Sequence, residues 1–287
     1  MNRREFIAAS ALLPSIARTA AAVLQDKPKK SCIYWMFGNK VGGSTVEERF
    51  DTVKKAGFDG IEVPPQFNPD DQAKFKAASD KVGLPIHSVI YGGWKSLLSD
   101  PDPAKRDEAV ENLKKGLRCA KALGATNLLL VPAVVDAKTR YVEAYERSVE
   151  GIKKVIATAE ECKVVIAVEE VWNNFLLSPL EFARFIDDFQ SPWVRAYFDV
   201  GNVVKNGWPE DWIRTLGKRI NRVHLKDYKR DSRKFVKLFE GDVNWKEVRK
   251  ALGEVGFANY MSAEFNGDDY LEPEELSKRI QRIIDGE

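Results

Sequence analysis

A single (β/α)8 barrel, an α/β fold of eight strands each followed by a helix, is what this sequence predicts, and three observations predict it. Short apolar, β-rich runs alternate with longer amphipathic stretches for eight rounds from residue 31 onward. Four of those stretches stop at a glycine: Lys55-Ala56-Gly57-Phe58, Lys81-Val82-Gly83-Leu84, Ala122-Leu123-Gly124-Ala125 and Glu254-Val255-Gly256-Phe257. Glycine takes the left-handed conformation that ends a helix without a Cβ penalty, and each of these leads into a strand. No linker, low-complexity block or charge run interrupts the series, and no G-x-G-x-x-G or Walker pattern marks an open doubly wound sheet.

The elements follow in order. Residues 1–22 read as a leader: Arg3 and Arg4 precede Phe6-Ile7, an apolar run follows, and Ala20 to Ala22 offers an A-x-A cleavage site. The pair of arginines resembles a twin-arginine export signal, and Arg18 ends the apolar run well short of the ~20 residues a spanning helix needs. An exported, periplasmic bacterial protein with one domain over 23–287 and no membrane span after cleavage is therefore expected. Strands are expected at 32–37, 60–63, 85–90, 127–131, 164–169, 195–199, 222–225 and 260–264. Helical patterns lie between them at 45–55, 103–123, 141–161, 179–189, 210–218, 245–255 and 273–284.

Composition agrees with one large domain. The 287 residues are 44% hydrophobic, enough for a full core, and α/β barrels commonly reach about 250 residues as one unit. The formal charge of +2 is carried by Arg3, Arg4 and Arg18 against Glu5, so the chain from residue 23 onward is neutral. That leaves no electrostatic footprint for nucleic acid and favours small neutral or weakly charged substrates. Cys32, Cys119 and Cys162 are odd in number, show no C-x-x-C spacing and sit in or beside apolar patterns, so they read as buried thiols.

In such barrels, polar residues at the carboxyl ends of strands are the functional candidates. Glu169 closes the fifth strand pattern, Asp199 the sixth and Glu264 the eighth, while His224 lies in the seventh. Their separations of 30, 25 and 40 residues each match one β/α unit, so the four side chains are expected to converge above the barrel mouth. Three carboxylates and one imidazole are an oxygen-rich set that suits Mn²⁺ first, with Mg²⁺, Co²⁺ or Zn²⁺ as other occupants, and not structural zinc, which prefers sulfur. Each residue alone is weak evidence, since a strand-end carboxylate is more often a cap or ion-pair partner and a strand histidine more often a hydrogen-bonded core residue.

Taken together, the segments V-E-E-V-W-N-N-F-L-L-S-P around Glu169, F-D-V-G-N around Asp199, V-H-L-K-D-Y around His224 and S-A-E-F around Glu264 resemble the four metal-binding segments of the xylose-isomerase-like sugar phosphate isomerase and epimerase superfamily. The likeness covers nearly the whole chain after the leader. It implies metal ligation by Glu169, Asp199, His224 and Glu264, with Glu169 and Glu264 also serving as acid and base. It implies further that His87, in P-I-H-S at the end of the third strand, and Arg230, six residues beyond His224, contact substrate. Asn202 stands where the ketose epimerases carry histidine, able to hydrogen-bond a substrate but unable to shuttle a proton. Glu170 replaces a residue that is often asparagine in relatives; strand alternation cannot aim both glutamates inward, and the register of V-W-N-N-F-L-L-S-P favours Glu169, with Glu170 the alternative. Trp35, Trp94, Trp172 and Trp208 near strand ends are candidates for sugar-stacking walls or for plain packing.

The chemistry expected is proton transfer beside a carbonyl through an enediolate, on a sugar, keto-sugar or small hydroxy-keto acid. A metal there acts as a Lewis acid on the substrate oxygens. The close alternative is a lyase or dehydratase on a 3-keto sugar, since the same enediolate can expel a β-leaving group. A zinc AP endonuclease shares the barrel but needs several histidines, and this chain has only His87 and His224. A sugar-binding barrel without catalysis would not need both glutamates. Barrels of this kind often pair, so a homodimer is compatible with the sequence, which marks no interface.

Overall fold

The computed structural model describes residues 27–37, 43, 45–94, 97–265 and 270–287; the expected leader lies outside them. In chain order the elements are β1 (Lys29–Ile33), α1 (Val46–Lys55), β2 (Gly60–Val63), α2 (Pro69–Val82), β3 (Ile86–Gly92), α3 (Pro103–Ala122), β4 (Asn127–Leu130), α4 (Tyr141–Lys153), α5 (Ile156–Cys162), β5 (Val165–Glu169) and α6 (Pro179–Asp187). They continue with β6 (Val194–Asp199), α7 (Val200–Val204), α8 (Pro209–Leu216), β7 (Ile220–Leu225), β8 (Asp227–Lys229), β9 (Lys234–Val236), α9 (Trp245–Glu254), β10 (Tyr260–Ala263) and α10 (Pro273–Asp285). Eight of the strands form a closed parallel barrel in the order β1-β10-β7-β6-β5-β4-β3-β2, and β8 and β9 form a separate antiparallel hairpin. Among the described residues no helix is long and apolar enough to cross a membrane.

Local chemistry sets the boundaries. Pro69, Pro103, Pro179, Pro209 and Pro273 each open a helix, where a missing N–H costs nothing. Asn68, Asp102 and Ser178 cap three of these through their side-chain oxygens, and Thr45 with Glu48 forms a reciprocal capping box on α1. Gly57, Gly83, Gly124 and Gly256 all take positive φ at the helix ends expected of them. The expected long helix 141–161 is instead two, α4 and α5, parted at Lys154 and Val155, where Val155 turns inward to the core. The first strand starts three residues earlier than the sequence suggests and stops at Ile33, because Tyr34 to Phe37 form a turn in which Tyr34 packs on Phe50 of α1 and Phe75 of α2 and Phe37 packs on Phe58.

The barrel strands are buried on both faces, as parallel strands under a helical coat must be. Outward-facing side chains join one large core with the helices, while Leu129, Val131, Ala167 and Tyr197 form a small apolar layer inside the barrel. All three cysteines are buried and unpaired.

Asp227 fixes the connection that follows β7. Its carboxylate accepts from the backbone N–H groups of Tyr228 (2.9 Å), Phe239 (2.9 Å) and Val243 (3.2 Å) and from the indole Nε1 of Trp245 (3.0 Å). Gly241 packs so closely that a Cβ there would stand 2.1 Å from Asp227 Oδ1. One buried carboxylate thus holds the loop from the hairpin to α9. Replacing it would strand four donors, three of them buried, each buried one worth about 1 kcal/mol or more. Asp227→Ala is therefore expected to lower stability by roughly 3 kcal/mol in urea unfolding; a loss below ~1 kcal/mol would mean that water satisfies these donors.

Candidate active site

Strand alternation decides which residues reach the barrel axis. Ala167 and Tyr197 lie in the inner layer, so Glu169 and Asp199, two residues on, also point inward at the carboxyl end. His224 occupies the same level on β7, paired in register with Asp199, and Glu264 follows directly after β10, its N–H donating to Leu225 O. One donor atom from each of Glu169, Asp199, His224 and Glu264 lies within 4.8 Å of the other three. His224 Nδ1 stands 2.8 Å from Glu169 Oε1, 3.0 Å from Glu264 Oε2 and 3.9 Å from Asp199 Oδ2. Three carboxylate oxygens and one imidazole nitrogen converging in this way fit a hard divalent cation.

Glu170 is not part of that cluster. It is buried with Oε2 lacking a hydrogen-bond partner, and burial, then the charges of Asp199 and Glu169, hold its carboxyl well above the usual range. Within the cluster, burial raises Glu169, with Glu264 and Asp199 adding to it against the opposing pull of His224. Glu264 goes the other way: burial would raise it, but Lys226 and His224 hold it well below the ordinary value.

Two residues that the sequence reading passed over complete the site. Glu62, fully buried in β2, accepts from His224 Nε2 at 3.2 Å and from the hydroxyl of Tyr197 at 2.5 Å. This fixes the imidazole with Nε2 protonated and Nδ1 turned toward the three carboxylates, the carboxylate-histidine arrangement that orients a metal ligand. Lys226, two residues after His224, also points inward, with Nζ 2.9 Å from Glu264 Oε2 and 3.1 Å from Asp199 Oδ2. Both were readable as charges within an apolar strand pattern at the inward parity.

The substrate-contact candidates are placed differently. His87 begins β3 and does not end it, so it lies deep in the barrel below the cluster, which corrects the expectation of a pocket role. Its ring stacks on Tyr260 at 3.9 Å, Nε2 lies 2.6 Å from Ser31 Oγ, and Arg222 Nε donates to Nδ1 at 3.3 Å. Asn202 adjoins the cluster as part of its frame: its N–H donates to Asp199 Oδ1, its Nδ2 to Glu170 O, and its Oδ1 accepts from Lys226 Nζ at 3.4 Å. Arg230 is outside the cluster; it donates to Gly207 O, lies over Trp208 at 5.1 Å, and lines a cavity of about 430 Å³ with Lys205, Tyr228 and Arg233. Trp172 stacks on Phe235 of the hairpin at 5.0 Å, and Trp35, Trp94, Trp172 and Trp208 are all exposed. A larger cavity of about 880 Å³, between the loops after β2 and β3 and helix α3, holds Phe67, Tyr91 and Trp94 but no acid or imidazole.

His87 carries a pH dependence whose sign follows from its surroundings. Burial, with the facing Arg222 adding to it, pushes its pKa down to about 3, although Glu62 pulls upward. The unfolded chain binds this proton near 6.5, so stability from a neutral His87 is complete above that pH and is lost as pH falls toward 3. The stability difference between the wild type and His87→Gln, measured by urea unfolding, should therefore shrink by up to ~1.4 kcal/mol per pH unit below 6.5. A difference constant from pH 7 to 4 would show that the folded protein accepts the proton.

Comparisons with known proteins agree with this architecture. Residues 50–285 match the family described as "Xylose isomerase-like TIM barrel". The L-ribulose-5-phosphate 3-epimerase UlaE of Escherichia coli O1:K1 / APEC is 23% identical over 73% of this chain and 78% of its own length. The D-psicose 3-epimerase of Ruminiclostridium cellulolyticum is 25% identical over 85% of this chain and 83% of its own. A solved D-allulose 3-epimerase from Methylomonas sp. in complex with D-allulose superposes with a TM-score of 0.77 at 18% identity, covering 91% of this chain and 98% of that one. Since the match spans most of the sequence and the eight strands close in order, the chain belongs to the xylose isomerase-like TIM barrel family.

Proposed function

We propose that this protein is a divalent-metal-dependent epimerase of a sugar or keto-sugar, working through an enediolate with Glu169 and Glu264 as acid and base. The observation that carries the reading is the convergence of three carboxylates and one imidazole within 4.8 Å at the barrel mouth. Relatives named as sugar 3-epimerases favour epimerisation over aldose-ketose isomerisation, which the sequence leaves level with it. Glu169, Asp199, His224 and Glu264 would hold the metal, with Mn²⁺ our first choice, and when bound it supplies Lewis-acid polarisation of the substrate oxygens.

The protein's own residues do the proton work. One glutamate removes the proton from the carbon beside the carbonyl, and the C–H electron pair moves into the carbonyl to give the enediolate. The other glutamate, as the acid, returns a proton to the opposite face, and exchange with water restores the pair. Glu62 keeps the His224 ring aimed while this happens. We further propose an exported enzyme, on the strength of residues 1–22, and a substrate without phosphate, because sugar phosphates are mainly cytoplasmic.

The test is solvent deuterium exchange. Mature protein with Mn²⁺ in D₂O, offered ketoses, hydroxypyruvate and 3-keto-glucosides, should incorporate deuterium at carbon by NMR, with Glu264→Gln at least about 10³-fold slower. The product identifies epimer, isomer or elimination, and an eliminated product would favour the lyase reading. No exchange from Mn²⁺-loaded protein with any of these would point to a binding protein. Glu62→Gln should weaken Mn²⁺ binding roughly 10–100-fold by calorimetry; unchanged affinity would remove Glu62 from the orientation of His224.

A further inference from the structure

We propose that Lys226 is a catalytic residue of this site, a second fixed cation whose ammonium exchanges its long contact to Asn202 Oδ1 (3.4 Å) for a substrate oxygen and takes up negative charge developing there. The proposal rests on the function argued above and adds a residue to it. Lys226 is only 5% exposed, and a lysine normally extends its charge to water. Here it turns inward from the end of β7 onto two of the four candidate ligands, Asp199 and Glu264, with Phe235 5.3 Å from the ammonium.

Three features favour substrate contact over simple bracing. Glu264, which Lys226 touches, has a side chain 21% exposed, whereas those of Glu169, Asp199 and His224 are 5% or less, so Lys226 contacts the one candidate ligand that is partly open to solvent. The formal charge of the three carboxylates with a divalent cation is one negative, which would oppose further negative charge on the substrate; Lys226 brings the sum to zero. The backbone is also shaped for the approach. A Cβ on Gly201, in the turn after Asp199, would stand 2.5 Å from Lys226 Cβ and 2.9 Å from its carbonyl oxygen, so only glycine lets α7 pack against this lysine.

A cation that shares carboxylates with the metal competes with it, whereas a brace helps it bind. The two roles therefore give opposite signs. In Lys226→Met, checked for folding by its thermal melt, calorimetry should find Mn²⁺ bound about tenfold more tightly or better, because the like charge is gone. The same variant should exchange deuterium about 10²–10³-fold more slowly in kcat at saturating Mn²⁺. Lys226→Arg, which keeps a positive charge at this position, should bring Mn²⁺ affinity back toward the wild-type value and recover part of the exchange rate, which a neutral side chain cannot do. Weaker Mn²⁺ binding in Lys226→Met, with exchange recovered by excess Mn²⁺, would overturn the proposal and make Lys226 a brace. A wild type that binds Mn²⁺ but exchanges no proton defeats the epimerase reading instead; Lys226 is then judged on Mn²⁺ affinity alone, where weaker binding defeats it.

Discussion

Carboxylates crowded out of water are the constraint around which this barrel is arranged. Glu62, Glu169, Glu170, Asp199 and Glu264 all lie at or just beneath the mouth, four of them buried, and an unpaired buried carboxylate costs several kcal/mol. His224 answers most of that cost from one position, with three carboxylates near Nδ1 and Glu62 on Nε2. Lys226 answers more of it on the Asp199 and Glu264 side, while Glu170 keeps Oε2 without a hydrogen-bond partner and its carboxyl is held well above the usual range by burial. The side chains that neutralise one another are also those that define the site, so its shape and its electrostatics cannot be altered separately.

The barrel interior is accordingly split. Toward β4 to β6 it is filled by Leu129, Val131, Ala167 and Tyr197, as barrel interiors usually are. Toward β1, β2, β3, β7 and β10 it is a polar column in which Ser31, His87, Arg222 and Ser262 lie below Glu62 and His224. Every barrel strand on that side contributes a polar side chain where packing alone would choose valine or leucine. Departures of this kind from local rules are expected where function sets the sequence.

How far this was legible in the sequence depends on what kind of information each feature needs. The eight units were, because Gly57, Gly83, Gly124 and Gly256 punctuate them and hydrophobic period marks the rest. The meeting of Glu169, Asp199, His224 and Glu264 was too, since unit-length spacing and strand parity jointly specify a common level. Helix α2 carries only Phe75, Ala78 and Ser79 inward, too few for a clear stripe, and β8 and β9 are three polar-flanked residues each. His87 shows the main limit: alternation tells which face a side chain takes but not its depth along the strand. Glu62 and Lys226 have the right parity, but a charge inside a strand, or one residue beyond it, has no partner visible in one dimension.

The polar column has a consequence for how the chain reaches its native state. The contacts that satisfy it join residues far apart in sequence: His224 with Glu62 across 162 positions, Tyr197 with Glu62 and Arg222 with His87 across 135 each. Such contacts return their free energy only after long loops have closed. A half-barrel ending before β7 would enclose Glu62 and His87 with neither His224 nor Arg222 to pair them, so partial structures gain little from burying them. The interior that equips the mouth for chemistry thus also discourages incomplete barrels, making closure of β1 on β10 a step that the chain takes as a whole.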